Sequence, residues 1–182
     1  LFFLALAVQS KYDIGERHIL PLYPFALLIA GGIWEHARKR RASAVWVVLL
    51  LCLNAADVLR CAPDYLTYFN VFVRPQASWR LLTDSNLDWG QGLIALRQYE
   101  QNHPGETIHA ALFTSVTPEL YGLHVLPFAP EEHPTGTVVV SGTQLSGQLL
   151  ASPDSYRWVL NYPLKAVLDN SLWVFEVTEN HN

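Results

Sequence analysis

Polar side chains and one indole are concentrated in residues 84–91, which read Asp-Ser-Asn-Leu-Asp-Trp-Gly-Gln. Carboxylates and amides form hydrogen bonds with hydroxyl groups, and an indole places a flat apolar face beside them. That combination is typical of a sugar-binding site or of a surface that docks on a membrane. The candidate binding residues of this string are Asp84, Asn86, Asp88, Trp89 and Gln91.

The same string also has a purely structural interpretation. Ser85, followed three residues later by Asp88, matches a capping box, and acidic side chains are stabilised at the positive end of a helix dipole. Two carboxylates could also bind a divalent metal, but no further ligand cluster accompanies them. We therefore expect no metal and no cofactor, and both the binding and the capping interpretations stay open.

Lys11, Arg17 and His18 form a second group of candidate binding residues, just before an apolar segment. Cations in that position often only anchor a helix at the membrane headgroups. They could instead hold the phosphate of a lipid-linked substrate, because positive charge stabilises a departing phosphate group. We expect these three residues to contribute to substrate binding.

Two apolar segments, 19–33 and 42–61, approach the ~20 residues that a membrane-spanning helix needs. Pro21 and Pro24 fit the first turn of the first helix, where a missing amide proton costs no helical hydrogen bond. The apolar residues 1–8 lack a Met and a cationic leader, and we interpret them as the cut end of another membrane helix. The chain is thus expected to be a C-terminal fragment of a longer membrane protein.

The charge distribution predicts the orientation of the chain. The short loop 35–41 contains four basic residues, and the positive-inside rule places such a loop in the cytoplasm and residues 62–182 on the outer side. Residues 1–61 carry seven basic and four acidic groups, net +3, and the remainder carries five basic and twelve acidic groups, net −7. An acidic domain repels phosphates, so we expect no nucleic-acid partner. The two cysteines, Cys52 and Cys61, do not indicate a disulfide framework.

Residues 62–182 alternate between strand and helix patterns. We predict strands at 79–83, 108–113, 137–141 and 172–177, a helix at 89–100 and a short helix at 118–121. The proline-rich segment 127–136 is predicted to be a mobile loop, and Ser141-Gly142-Thr143 a turn at the end of a strand. The predicted fold class is therefore about two full transmembrane helices plus a truncated one (1–61), followed by a small extracytoplasmic α/β domain (62–182).

Three spaced strings, 12–25, 65–70 and 84–91, resemble the C-terminal part of bacterial multi-spanning glycosyltransferases of family 39, related to protein O-mannosyltransferases and aminoarabinose transferases. The resemblance implies a C-type glycosyltransferase fold, a polyprenyl-phosphate-linked sugar donor, membrane lipid as a partner, and transfer on the outer face of the bacterial inner membrane. Arg17 matches a basic position beside the lipid phosphate in this family, and Lys11 lies close to it in sequence.

The catalytic acidic residue of the family lies in its first outer loop, and no residue of this chain corresponds to it. The catalytic residues are therefore expected upstream of the fragment. The alternative function is a non-enzymatic, membrane-anchored module that binds a glycan or a protein. A transporter is disfavoured, because the apolar segments lack the intramembrane charge pairs that such proteins usually contain.

Overall fold

The computed structural model describes residues 19–82 and 86–178, apart from the side chains of His36 and Arg41. The chain divides into two compact units, Leu1–Asn70 and Val71–Asn182. The candidate residues Lys11, Arg17, His18 and Asp84, together with Ser85, lie outside the described residues.

The first unit contains two apolar helices, α1 (Tyr23–Ala37) and α2 (Arg41–Leu59), joined by a short loop. A 3₁₀ turn, Leu20–Leu22, precedes α1. The prediction of two full transmembrane helices is wrong. Among the described residues only α2 contains a long enough apolar stretch, Ala42–Leu59, with a mean hydropathy of 2.0. The 15 residues of α1 extend over about 22 Å, which is less than the ~30 Å hydrocarbon core of a bilayer.

Local sequence explains why α1 is short. Pro21 is the second residue of the 3₁₀ turn and Pro24 lies in the first turn of α1, so the regular helix begins only at Tyr23. At the other end the helix stops at Ala37, where the basic loop begins. The apolar composition of this segment suggested a spanning helix, but the prolines and the charged loop limit its length.

The second unit is built on a five-stranded mixed sheet with the order β2-β1-β3-β5-β4. Strand β1 pairs in parallel with β2 and β3, whereas β5 is antiparallel to both β3 and β4. The strands are β1 (Ile108–Ala111), β2 (Leu126–Pro127), β3 (Gly136–Ser141), β4 (Leu164–Leu168) and β5 (Leu172–Val177). The predictions of β1, β3 and β5 and of a short helix at Pro118–Tyr121 are confirmed, whereas β2 and β4 were not predicted.

Helix α3 (Gly92–Asn102) covers one face of the sheet. Its residues Leu93 and Leu96 are buried in a core that includes Ile108, Val139 and Val174. Removing these apolar side chains from water is the main favourable contribution to folding of this unit.

The strand predicted at 79–83 is wrong over its described residues. Trp79 and Arg80 end a 3₁₀ helix, Pro75–Arg80, and Leu81 and Leu82 lie in no strand. A strand with one buried face would alternate in burial, but the adjacent residues Ser78 and Trp79 are both buried. The indole of Trp79 packs under the guanidinium groups of Arg80 and Arg157, and the Nε1 group of Trp173 donates a 3.2 Å hydrogen bond to the carbonyl oxygen of Gln76. These contacts with distant residues favour the compact turn.

The loop predicted to be mobile packs through aromatic contacts. Phe128 is buried against the rings of Tyr156 and Trp158, and His133 lies 4.3 Å from the Trp158 ring. Ser141-Gly142-Thr143 does not form a simple turn. It starts a short helix, α4 (Gly142–Ser146), in which the Ser141 hydroxyl accepts a hydrogen bond from the Gln144 amide.

Candidate functional site

The candidate site lies at the edge of the sheet where the carboxyl-terminal ends of the parallel strands β1, β2 and β3 meet. We call this the carboxyl edge. These strands are parallel, so the residues that follow Ala111, Pro127 and Ser141 emerge on the same side. Strand β5 begins at this edge, because Ser141 pairs with Leu172. In sheets with parallel strands, ligands commonly bind outside this edge.

The described part of the string, residues 86–91, lies against the carboxyl edge. Leu87 is fully buried, and a β-carbon added to Gly142 would overlap its side chain. Gly90 has a φ of +88°, and a β-carbon there would lie 2.7 Å from the Thr114 hydroxyl oxygen. The string is therefore held on the sheet by close backbone contacts at two glycines.

Asp88 is buried under this segment, with only 2% of its surface exposed. Its Oδ1 atom accepts a 2.8 Å hydrogen bond from the amide of Gly90. Burial raises the pKa of the carboxyl group from 3.8 to about 6, and the hydrogen bond from Gly90 partly opposes that rise. Asp88 forms an Asx turn before α3, which begins at Gly92, so Asp88 does not occupy the N3 position of this helix that a capping box requires. Ser85, the other residue of the predicted capping box, lies outside the described residues.

Gln91 uses both ends of its side-chain amide within the string. Oε1 accepts a 2.8 Å hydrogen bond from the Trp89 amide, and Nε2 donates a 2.9 Å hydrogen bond to the Leu87 carbonyl oxygen. These bonds brace the backbone on both sides of Asp88. Gln91 therefore positions the neighbouring residue Trp89.

Trp89 is the most exposed of the described candidate residues, with 59% of its surface accessible. Asn86 is half-buried at the start of the described segment. The indole lies on a turn that the side chains of Asp88 and Gln91 hydrogen-bond, and its exposed face offers a flat apolar surface to a ligand. The arrangement combines a rigid apolar face with backbone and side-chain polar groups around it.

The structure brings further residues to this edge that the sequence did not indicate. The hydroxyl of Ser141 accepts a 3.1 Å hydrogen bond from the amide of Phe113, and the Gly142 amide donates to the Ser171 carbonyl oxygen at 2.9 Å. The buried Ser171 hydroxyl has no hydrogen-bond partner among the described atoms. A β-carbon added to Gly92 would lie 2.5 Å from the oxygen of this hydroxyl, so only glycine fits at position 92. A turn signal, Asp-Asn-Ser at 169–171 between two apolar strands, could have located this corner.

Among the described residues, no group of three His, Cys, Asp or Glu side chains converges on a position where a metal ion could bind. The site contains the buried carboxyl group of Asp88, whose pKa burial raises to about 6, and the exposed indole of the next residue, Trp89. Because Asp88 is buried, it acts on a ligand only through the turn that it shapes.

The raised pKa of Asp88 predicts a pH-dependent stability of the second unit. Between pH about 4 and pH about 6 the folded protein binds a proton that the unfolded chain has already released, so the free energy of unfolding falls as pH rises through this window. The Asp88→Asn variant cannot ionise and keeps an oxygen that can accept from Gly90. At pH 7 we expect a gain on the order of 3 kcal/mol over the wild type, and no gain below pH 4.

Urea denaturation at pH 4 and pH 7 measures this difference. Glu119→Gln is the control, because it removes the same charge from an exposed side chain. Equal stabilities of Asp88→Asn and wild type at pH 7 would show that burial of Asp88 does not destabilise the fold.

Comparisons with known proteins find no matching protein-family model, no matching curated protein and no matching solved structure.

Proposed function

We propose that this chain is the C-terminal part of a membrane glycosyltransferase that uses a polyprenyl-phosphate-linked sugar and acts on the outer face of the bacterial inner membrane. The proposal is supported by the resemblance of strings 12–25, 65–70 and 84–91 to that family, and by a helix, α2, that is apolar enough to cross a bilayer. In this proposal the second unit lies outside the cell or in the periplasm and supplies a sugar-binding surface at its carboxyl edge.

The observation that carries the proposal is the construction of the turn under Trp89. Asp88 is buried at a cost to stability, and Gln91 uses its whole amide to brace the same backbone. Groups that lower stability in order to hold a rare geometry are concentrated at functional sites. The indole that they hold is exposed and could stack on a pyranose ring.

The basic loop supports the orientation. Arg38 forms an ion pair with Glu35, and Lys39, Arg40 and Arg41 add three further positive charges where α1 ends and α2 begins. Short loops with such a charge excess are retained in the cytoplasm. A single crossing by α2 then brings the second unit to the outer side.

The alternative is a non-enzymatic module that binds a glycan or a protein, and one observation favours it. The carboxyl group of Asp88 is too deeply buried to reach a sugar, so the described part of the site binds without performing chemistry. In the enzyme, the catalytic acid would come from outside residues 86–91.

Reconstitution of the full-length protein into vesicles separates the two functions. The donors are polyprenyl-phosphate-linked mannose and polyprenyl-phosphate-linked aminoarabinose, and the measurement is the release of free polyprenyl phosphate. An enzyme releases it from one of the donors in the presence of acceptor extract, with many turnovers per protein. Glycan binding by the protein without any release from either donor would contradict the enzyme and leave the module.

A further inference from the structure

A groove of about 820 Å³ runs between α1 and α2 in the first unit. Its walls are apolar, with Ile29 and Ile33 from α1 and Val47 from α2. At the end near the loop between the helices it is lined by Arg40 and Ser43. The groove therefore joins an apolar channel to a cationic, hydrogen-bonding end.

The charge at that end is not neutralised by the part of the chain that the structure describes. Arg38 is engaged by Glu35, but no described carboxylate forms an ion pair with Arg40. The N-terminus of α2 begins at the next residue, Arg41, so the positive end of its helix dipole adds to the same field. An anionic group is thus the complementary occupant of this end.

Two indoles give the depth of the groove relative to a bilayer. Trp34 lies three residues before the end of α1 and Trp46 five residues after the start of α2, within about 8 Å of the loop along each helix axis. Both are exposed, by 42% and 64%. Tryptophan prefers the headgroup level of membranes, so the cationic end lies at the phosphates and the apolar walls lie among the acyl chains.

We propose that this groove binds an anionic phospholipid of the surrounding bilayer. Its phosphate pairs with Arg40 and accepts a hydrogen bond from the Ser43 hydroxyl, and one acyl chain lies along Ile29 and Ile33. Basic pockets between helices on the cytoplasmic side have this ligand preference. The inference rests on the proposed membrane location, and it is independent of the sugar-transfer reaction.

A helix from another part of the assembly is the competing occupant. Such a helix would leave Arg40 facing an apolar surface unless it supplied a carboxylate, because an unpaired charge in that environment is unfavourable. A lipid supplies both the anion and the apolar chain in one molecule. The charge at the groove end therefore favours the lipid.

Fluorescence quenching by brominated lipids tests the proposal with the full chain in mixed vesicles. Trp46 lines the groove, so its fluorescence reports on a lipid bound there. The contribution of Trp46 is the difference in quenching between the wild type and Trp46→Phe. We expect brominated phosphatidylglycerol to quench at about five-fold lower mole fraction than brominated phosphatidylcholine, the factor that corresponds to about 1 kcal/mol for one basic residue near an anionic lipid. Arg40→Gln should remove this preference.

Two matched controls separate a groove from a diffuse surface charge. Lys39→Gln removes the same charge from the same loop but does not line the groove, so it should retain most of the preference. Gly32→Leu fills the groove, since a β-carbon at Gly32 meets open space, whereas Gly31→Leu adds the same side chain outside the lining. Only the Gly32 variant should lose the preference.

Several outcomes would overturn the proposal. Equal losses in Arg40→Gln and Lys39→Gln would indicate diffuse attraction, and an unchanged preference in Gly32→Leu would indicate that the lipid binds outside the groove. If Trp46 is quenched equally by both lipids, the membrane location stands and only the lipid site fails. If Trp34 is quenched but Trp46 is not, another helix covers the groove. If neither indole is quenched, the membrane location assumed in the proposed function fails as well.

Discussion

The Gly147→Ala variant is expected to destabilise the second unit by more than ~4 kcal/mol, the range in which single substitutions become exceptional. Gly147 follows α4 with a φ of +69°, a left-handed conformation that costs an alanine ~1 to 2 kcal/mol. A β-carbon there would also overlap the carbonyl oxygen of Pro153 and lie 2.5 Å from its carbonyl carbon. Backbone atoms cannot move aside as a flexible side chain can, so the surrounding turn must open.

Opening that turn would affect neighbouring contacts. Arg157 donates to the carbonyl oxygens of Leu145 and Ser146, at 3.2 and 2.9 Å, and its guanidinium lies over the Trp79 ring. These bonds satisfy the last carbonyl groups of α4, which a helix cannot pair internally. We expect the damage at Gly147 to spread through Arg157 to the 3₁₀ helix Pro75–Arg80.

Amide hydrogen exchange of β3 and β5, measured by mass spectrometry on the full-length protein, reports this loss. Gly105→Ala is the matched control, because its φ is +89° but no atom lies within 4 Å of the added β-carbon. Gly105→Ala should lose only the free energy that an alanine pays for the left-handed backbone conformation. If the two variants exchange at the same rate, the close contact between Gly147 and Pro153 is not part of the folded protein.

The sheet could be predicted where the sequence carries its own pattern. The run Val138, Val139 and Val140 and the sequence Leu172–Val177 are rich in β-branched and aromatic residues, and each is bounded by turn residues. Strand β1 is similarly marked by the helix stop at 103–105 before it. These strands are central in the sheet, where local preference and burial agree.

The remaining elements depend on partners that are distant in sequence. Strand β4 at the sheet edge has only a weak local pattern, and β2 is two residues long. The 3₁₀ helix at Pro75–Arg80 is held by Trp173 and Arg157, nearly 100 and 80 residues away along the chain. Periodicity over a short window cannot reveal such contacts.

The candidate site, like the fold, was predictable only where local sequence carries the information. The string 84–91 was selected as a candidate site from its residue types, and the structure leaves Trp89 exposed. The individual roles were not recognisable, because they depend on where the chain turns: α3 starts at Gly92, so Asp88 is buried before the helix and Gln91 braces Trp89. Ser141 and Ser171 reach the edge only through the pairing of β3 with β5.

Trp89→Ala is expected to lower kcat/KM for sugar transfer by about 30-fold, the effect of losing an aromatic anchor worth ~2 kcal/mol. The indole is more than half exposed, so its removal should change stability little. Trp89→Phe keeps a smaller ring and should retain part of the activity. Ile94→Ala is the matched control, since Ile94 on α3 is 56% exposed and lies outside the string.

The most direct test of the carboxyl-edge site is therefore the transfer rate of the full-length Trp89→Ala protein from the polyprenyl-phosphate-linked donor used by the wild type, measured beside Ile94→Ala. The site as described predicts about 30-fold slower transfer for Trp89→Ala and a wild-type rate for Ile94→Ala, with unchanged melting temperatures. Wild-type transfer by a correctly folded Trp89→Ala protein would contradict the assignment and leave residues 86–91 with a purely architectural role.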